Sequence, residues 1–583
     1  MDQVKTNKTY DFSLFKRVMS YVKPYNKIFF STSFFAILLS FLSPARPVLI
    51  QYAFDNFILI PNQEKLQQIT ILLMLLLTIE SIIQFFYTYW ANYLGQVVIK
   101  DIRLQVYNKI LNFKHSYFDN HPIGALVTRV VSDIETIADI FSQGFLVILG
   151  DLLKLIVVIV VMFVTDWRLA LISLASVPIL LIATNWFKKS IKLAFQDVRN
   201  KVSELNTFVQ ERIVGISVVQ LFNRENIEFD KFKKINEAHK DAHVKSIWYY
   251  SIFFPVVEVL SAVSIGLLIW WGGLAVVSGY DVSLGELIAF ILYIHMLFRP
   301  IRQLADRFNV LQMGMVASER VFKVLDTDSI IEDKGLKTID NLEGSIEFKN
   351  VWFAYKDEDW VLKNVSFKLE AGQTLALVGA TGAGKSTIVN LLSRNYEINK
   401  GQILIDGIDY LDINLKSLRS SVSVVLQEVF LFSDSVLNNI TLKQNISLEQ
   451  VRASAKELGI DGFINELPDT YHYNVRERGA MLSVGQKQLL SFLRAYVTNP
   501  KILVLDEATS SIDSESEVLI QSAINKLTEN RTSIIIAHRL STIKKASKIL
   551  VFELGEIIEQ GSHSELLAQD KAYKKLHDLQ FKK

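Results

Sequence analysis

The chain has 583 residues, a formal net charge of +2 and a mean hydropathy of +0.26. The length admits several domains, and so small a charge gives no electrostatic footprint for nucleic acid or a strongly acidic partner. Cysteine is absent, which excludes disulfides, thiolate nucleophiles and cysteine-ligated metals.

The first residues, Met1 to Tyr10, are polar and lack the apolar stretch of a cleavable signal peptide. Phe12, Phe15, Met19 and Val22 then recur at helical spacing among Lys16, Arg17 and Lys23, the pattern of an amphipathic helix in a membrane interface. Six apolar segments follow, at roughly 28–52, 67–93, 138–164, 169–187, 247–275 and 285–305. Each approaches or exceeds the ~20 residues with which an α-helix crosses a bilayer. Runs such as Ile71–Leu77 and Leu155–Val164 are apolar on every face, unlike the helices of a soluble protein.

The connections between these segments differ in charge. Those around Pro61–Lys65, Thr165–Arg168 and Ser278–Val282 are short and nearly free of positive charge. The others carry Lys100, Arg103, Lys109, Lys188, Lys189, Lys192, Lys231, Lys233 and Lys234. The positive-inside rule places this basic set, and both termini, in the cytoplasm. Its long stretches, roughly 94–137 and 188–246, keep helical periodicity and predict helices that continue beyond the membrane.

Near Leu325 the pattern changes. The expected division is a membrane domain over 1–325, a polar linker over 326–342 and an α/β domain over 343–583, where short β-like runs alternate with helices. Within the last, Leu375–Val378 reads as a buried strand and runs into Gly379-Ala380-Thr381-Gly382-Ala383-Gly384-Lys385-Ser386-Thr387. This fits the phosphate loop G-x-x-x-x-G-K-[ST], whose backbone N–H groups cradle phosphate oxygens. Lys385 would reach the β- and γ-phosphates, and the Ser386 hydroxyl would face Mg²⁺.

Ile502–Leu505 reads as a strand ending in Asp506-Glu507. An acidic pair at the C-terminal end of a parallel strand lies where such sheets bind ligands. Asp506 is the candidate for Mg²⁺, through water, and Glu507 the candidate general base for an attacking water. A further strand, Ser533–Ala537, leads into His538, expected beside the γ-phosphate, where charge develops. Between these motifs lies Leu482-Ser483-Val484-Gly485-Gln486. Ser483 and Gln486 fit a capping box at a helix start, and exposed N–H groups there attract anions.

With these motifs in this order, the chain resembles the ATP-binding cassette (ABC) transporters. It resembles the exporter half-transporter, six spans fused ahead of one ATPase domain, and within that form the MdlB-type multidrug-like group. The resemblance covers essentially the whole chain. It implies a membrane domain of six transmembrane helices joined to an α/β P-loop ATPase domain, with ATP and Mg²⁺ as ligands. In such proteins the segment Leu482–Gln486 is a signature that meets, through Ser483, Gly485 and Gln486, the γ-phosphate of ATP held by the opposite subunit. Each site is therefore composite and the dimer obligate. Tyr355 matches the aromatic that stacks on adenine. Gln427 matches the glutamine that contacts Mg²⁺ and water and answers to the membrane domain. Asp513 matches the loop facing the partner's site, and Glu477 the segment that touches the cytoplasmic ends of the spans. Phe118 to Asp133 looks like the first cytoplasmic loop, and Glu211 to Glu225 like the second, each with a short helix that docks on an ATPase domain.

Two positions depart from the family pattern. Val484 stands where glycine is usual, adding bulk and a β-branch that disfavours φ > 0. It predicts weaker turnover at the site built with this signature and favours a heterodimer, with a second half-transporter, over a homodimer. Arg476 stands where glycine is common. Ionisable residues inside the apolar segments, Arg46, Glu80, Asp151, Lys154, Glu258 and His295, are costly and point to function. Asp151 and Lys154, three apart, read as a pair on one helix. Glu80 and Glu258 have no local partner and read as lining a cavity that favours cationic or amphipathic cargo. Pro44, Pro47, Pro178 and Pro255 read as kinks.

The expectation is ATP-driven export of a drug-like or lipid compound across a bacterial-type plasma membrane. Siderophore-type import on the same fold is the alternative. An ATP-gated channel or regulatory subunit is a third reading, against which Glu507 and His538 argue.

Overall fold

The computed structural model describes residues 12–279, 282–333, 335–339, 342–506, 514–537 and 539–581. The chain divides into two compact units, Met1–Leu111 with Ile123–Asp328, and Asn112–Pro122 with Ser329–Lys583.

Among the described residues of the first unit, six helices are long and apolar enough to cross a membrane. They are Lys23–Ile58, Gln63–Leu111, Ile123–Thr165, Trp167–Val214, Glu225–Val277 and Leu284–Asp326. At ~1.5 Å per residue they run from ~54 to ~80 Å, well beyond a hydrocarbon layer of ~30 Å. The surplus is the helical continuation that the periodicity of 94–137 and 188–246 predicts.

Pro44 and Pro47 lie inside the first span and Pro255 inside the fifth. Pro178 does not kink a helix. It sits in the first turn of Val177–Val214, just after the break that ends Trp167–Leu174, where a missing N–H costs nothing. The third span is instead loosened by π turns at Arg129–Asp133 and Ile140–Gly144.

Helix ends are fastened by side chains. Asp166 accepts from the N–H groups of Arg168 (2.7 Å) and Leu169 (2.9 Å) at the start of the fourth span. Ser283 and Glu286 form a reciprocal capping box on the sixth. Asp55, in the last turn of the first span, accepts from the Ser283 hydroxyl at 2.6 Å and the Gly285 N–H at 2.9 Å. A Cβ at Gly285 would stand 2.6 Å from that carboxylate. Between the fourth and fifth spans, Phe187 stacks on Phe253 at 4.1 Å, and the buried hydroxyls of Ser176 and Ser264 lie 2.5 Å apart, the close polar contact that bundled membrane helices use. The sixth span is the axis of the unit, 56% buried over its apolar window against 6% for the second.

The N-terminal helix α1 (Phe12–Ser20) is amphipathic as expected, but it is docked on protein. Val18 and Val22 are buried, and Phe15 packs against Phe145. The Arg17 guanidinium lies 4.2 Å over the Phe322 ring and forms a bidentate pair with Asp326, at 2.6 and 2.7 Å, at the end of the sixth span.

The second unit holds two sheets. One is antiparallel, in the order β2-β1-β4-β5, with β1 Ile346–Ala354, β2 Trp360–Leu369, β4 Lys400–Ile405 and β5 Ile408–Asp409. The other has the order β10-β9-β3-β8-β7-β6, with β3 Thr374–Gly379, β6 Val422–Val425, β7 Ile502–Asp506, β8 Thr532–Ile536, β9 Lys548–Glu553 and β10 Glu556–Gly561. All its neighbours run parallel except the edge pair β9–β10. The parallel strands are apolar on both faces because both are covered. Leu375 and Leu377 face a core with Phe348 and Ile403 of the antiparallel sheet. Ala376 and Val378 face a second core with Leu489, Leu490 and Tyr471 of the helices.

Two more segments belong to this unit. Helix α2 (His115–Asn120) is fastened to it: Phe113 bridges to Ile330, the His115 ring meets the Tyr396 ring edge-on at 5.7 Å, and the Tyr396 hydroxyl donates to the Asp119 carboxylate. The expected linker is tied down as well. Asp333 caps the N–H of Leu415, and the buried Arg394 donates to the carbonyls of Ile413 (3.0 Å) and Glu332 (3.4 Å).

Candidate nucleotide site and a charged cavity

The parallel register collects the phosphate loop and the acidic strand at one edge. Leu377 of β3, Ile536 of β8 and Asp506 of β7 lie in one row across the sheet, with Val425 of β6 level with Leu505 in the next. The segments that continue from these strands, after Gly379, Val425, Asp506 and Ile536, therefore leave the sheet on the same side. Glu507, Asp513 and His538 themselves lie outside the described residues.

The loop closes onto helix α4 (Lys385–Leu392); α3 is the short helix Ile216–Leu221 of the first unit. Gly384 is its N-cap, with φ +100°, a conformation only glycine adopts cheaply. A Cβ there would also stand 2.7 Å from Leu362 Cδ2. The Lys385 ammonium turns back into the loop and donates to the carbonyls of Gly379 (2.9 Å) and Ala380 (2.8 Å). Burial holds its pKa below the ordinary lysine value, and the Asp506 charge opposes that shift. The Ser386 hydroxyl donates to Asp506 Oδ2 at 3.3 Å. Hydroxyl and carboxylate oxygens converging at a loop that binds phosphate are the hard donors that Mg²⁺ takes, so this pair fits the ion.

Tyr355 follows β1 and keeps 44% of its surface exposed. Its hydroxyl lies 3.2 Å from that of Thr387, and its ring is held perpendicular to Phe353 (4.8 Å) and Tyr396 (5.0 Å). It is thus a firmly oriented ring with free surface beside the phosphate loop. Gln427 is exposed two residues beyond β6.

The signature opens helix α5 (Val484–Val497). The capping box expected there is present: the Gln486 N–H donates to Ser483 Oγ at 3.2 Å, and the Ser483 N–H to Gln486 Oε1 at 3.0 Å. Gly485 is buried. Val484 occupies the first helical turn and is absent from the residues with positive φ. The expected backbone penalty is therefore wrong, because this position is helical. What remains is bulk, on a side chain 62% exposed. Arg476 shows the opposite: its φ is +58° and ψ −170°, a region that belongs almost wholly to glycine. Among the described residues, no hydrogen bond or ion pair joins the signature to the phosphate loop of the same chain. Arg494 of α5, which sequence reasoning missed, donates to the carbonyls of Asn439 (2.8 Å) and Phe430 (3.2 Å). It ties the signature helix to the segment after Gln427.

The first unit holds a cavity of about 640 Å³ among the first, second, third and sixth spans. Arg46, Glu80, Asp151, Lys154 and His295 all line it, as does Arg299. Two expectations change here, while Glu80 lines the cavity and takes its partner from another helix, accepting from the Ser43 hydroxyl at 2.6 Å. Asp151 pairs with Arg307 of the sixth span, not with Lys154. Glu258 is not in the cavity: its side chain is 73% exposed and faces Arg302 at 3.7 Å. The lining carries four cations, with Arg307, against two carboxylates, which runs against a preference for cationic cargo.

Comparison with known proteins agrees with this architecture. The family model of the ABC transporter transmembrane region matches residues 29–301, and that of the ABC transporter matches residues 362–510. The chain is 37% identical over 579 residues to the uncharacterized ABC transporter ATP-binding protein YknV of Bacillus subtilis (strain 168), covering 98% of this chain and 96% of that protein. It is 33% identical over 572 residues to the ATP-dependent lipid A-core flippase of Syntrophus aciditrophicus (strain SB), covering 98% and 95%. It is 34% identical over 575 residues to the putative multidrug export ATP-binding/permease protein YgaD of Bacillus subtilis (strain 168), covering 97% and 99%. Six apolar helices followed by a P-loop ATPase unit, matched along nearly the full length of such relatives, make this chain a member of the ABC transporter family.

Proposed function

We propose that the protein is one half of a dimeric ATP-driven exporter for hydrophobic or amphipathic compounds, lipid or drug-like. The membrane part spans 1–325, the linker 326–342 and the ATPase domain 343–583, with both termini in the cytoplasm of a bacterial-type plasma membrane. The observation that carries the reading is the phosphate loop at the end of β3, with Lys385 turned into it and Ser386 donating to Asp506. The names of the lipid A-core flippase and multidrug-export relatives support the cargo class.

The residues divide the work. The loop residues Gly379, Ala380, Thr381, Gly382, Ala383 and Gly384 present N–H groups to phosphate oxygens, and the Lys385 ammonium swings from loop carbonyls onto the β- and γ-phosphates. Tyr355 stacks on adenine, and Thr387 fixes it through their hydroxyl pair. Ser386, Gln427 and Asp506 would hold Mg²⁺, which neutralises phosphate charge when bound. Glu507 takes the proton of the attacking water, and His538 steadies charge on the γ-phosphate.

Ser483, Gly485, Gln486 and Asp513 serve the nucleotide held by a second subunit. Two exposed apolar groups support such a partner. Val214, Leu221 and Phe222 flank or end α3 in the first unit, and Leu426, Phe430 and Phe432 surround the Gln427 segment in the second. Patches of this kind mark interaction surfaces. The bulk of Val484 favours a different second half over another copy. ATP drives the cycle because it binds the closed dimer better than the open one. ATP-dependent accumulation of an amphiphile in inside-out vesicles supports export. Accumulation in right-side-out vesicles instead would replace it with import.

A further inference from the structure

We propose that Arg394 is a positioning residue that carries nucleotide occupancy from the phosphate-loop helix to the chain leaving the sixth span. The proposal rests on the ATP site and adds a route out of it.

The first support is connectivity. The sixth span ends at Asp326 and the second unit begins at Ser329, three residues on. Three residues reach at most ~11 Å, so this tether has little slack. Its far end is held within the second unit. The Lys114 N–H donates to the Ser329 carbonyl at 2.7 Å, and the Ile331 N–H to the Asn112 carbonyl at 3.1 Å. Further on, the Lys337 N–H donates to the Asp412 carbonyl at 3.0 Å, and the Asn414 N–H to the Lys337 carbonyl at 2.9 Å.

The second support is the place of Arg394. Helix α4 opens with Lys385 and Ser386 and ends at Leu392, a rod of ~12 Å. The Arg394 N–H donates to the Leu391 carbonyl at 3.0 Å, so this residue closes the rod. Its guanidinium then crosses to the linker. Nη1 donates to the Ile413 carbonyl at 3.0 Å and lies 3.5 Å from Asp333 Oδ1. Nη2 donates to the Glu332 carbonyl at 3.4 Å and lies 3.6 Å from Glu397 Oε1. Arg419 braces the same turn, donating to the carbonyls of Ser393 (3.5 Å) and Arg394 (3.3 Å). A pull of phosphate on Lys385 at one end of the rod is thus delivered to Glu332 and Asp333 at the other.

The third support is cost. The Arg394 side chain is 2% exposed, an expensive place for a cation. Its φ is +50°, in the left-handed region where a helix end usually has glycine. Its Nε is buried with no hydrogen-bond partner among the described residues. Three penalties gathered on one side chain mark a functional constraint.

The test is hydrogen exchange on the full-length transporter in detergent, with and without Mg²⁺ and adenylyl imidodiphosphate, an ATP analogue that is not hydrolysed. In the wild type the analogue should slow exchange in the phosphate loop. It should also slow the linker amides of Ile331 and Lys337 by about tenfold, the weight of roughly one charge-assisted hydrogen bond. Arg394→Lys keeps the charge but cannot span the carbonyls of Ile413 and Glu332 as a fork. It should retain the response of the loop and lose that of the linker. Asp333→Asn, which leaves an acceptor for the Leu415 N–H, should reduce the linker response from the other side of the contact. Lys349→Gln, on the antiparallel sheet, should change neither.

A linker that ignores the analogue in the wild type would overturn the proposal. So would a full linker response that survives either substitution. Loss of the loop response together with the linker response in Arg394→Lys would overturn it too, since Arg394 would then only support the site. ATP-driven accumulation of an amphiphile by a wild type whose linker is silent would sink this inference and leave the transport reading standing. Hydrolysis without flux of any amphiphile, in a protein whose linker responds through Arg394, would do the reverse.

Discussion

The hydroxyl of Tyr396 donates to the carboxylate of Asp119. Asp119 lies on the short helix between the second and third spans, and the ring of Tyr396 stands perpendicular to Tyr355 at 5.0 Å. One aromatic side chain thus touches both the segment arriving from the membrane helices and the ring proposed to carry adenine. His115 adds a second, edge-on contact to the same ring. All four residues belong to one compact unit, so α2 has a fixed seat beside the nucleotide site.

Tyr396→Phe keeps the ring against Tyr355 and removes only the hydrogen bond to Asp119. A hydrogen bond to a charged group is worth about 1.5–3 kcal/mol. Stimulation of hydrolysis by cargo should fall by about tenfold, while KM for ATP moves less than about twofold. The readout is the ratio of stimulated to basal ATPase rate in reconstituted protein; an unchanged ratio removes Tyr396 from the coupling path.

Lys385 gives the site a pH dependence of definite sign. Burial depresses its pKa below the lysine value of 10.5. The folded, nucleotide-free state therefore releases its proton earlier than the unfolded state, and the ammonium that grips phosphate disappears as pH rises through the depressed value. Affinity for ATP should weaken as pH rises into the alkaline range, at a lower pH than an ordinary exposed lysine would give. Lys385→Arg, whose guanidinium stays charged, should bind more weakly but with a flat profile over that range. Equilibrium nucleotide binding across the range checks both.

Arg476 holds φ +58° and ψ −170°, a strain of order 1–3 kcal/mol for a residue with a Cβ. Glycine removes that strain but brings a more flexible unfolded chain, a cost of about 0.4–1 kcal/mol. Arg476→Gly should therefore stabilise the protein by about 1 kcal/mol. Thermal or denaturant unfolding measures it, and a loss of stability would show that the arginine side chain contributes contacts worth more than the strain.

Val484 leaves the backbone unstrained, so its effect on turnover must come from bulk alone. Val484→Gly should raise the rate at the site built with this signature, at a cost of up to about 1 kcal/mol in helix stability. The comparison is the maximal ATPase rate of the assembled dimer; equal rates would remove the main argument for an unlike partner.

These relationships were unequally visible in the chain. The phosphate loop with Lys385, the strand that ends in Asp506, and the capping box of Ser483 and Gln486 are local: each is written within a few consecutive residues. The six spans are compositional and equally direct. The pairing of charges inside the membrane was not. Asp151 has Lys154 one helical turn away, yet its partner Arg307 arrives from the sixth span, and only tertiary packing brings it there. Glu258 looked like a lining residue because spacing along one helix does not tell which face meets the cavity. Arg299 and Arg307 lie near the end of the last apolar segment, where no motif singles them out. Tyr396 follows no motif; its role emerges from a side-chain contact almost three hundred positions away in sequence. Pro178 shows the limit of a residue-type rule, since proline in a first turn begins a helix and does not bend it.

The central claim is that ATP hydrolysed at this phosphate loop drives cargo across a bilayer. The direct test is Glu507→Gln in the transporter reconstituted with any companion subunit, with hydrolysis and vectorial flux of a labelled amphiphile measured together. Loss of a general base lowers rate by about 10²–10⁴, and the account predicts that flux falls with hydrolysis. Flux that continues at the wild-type rate after hydrolysis has collapsed would contradict it.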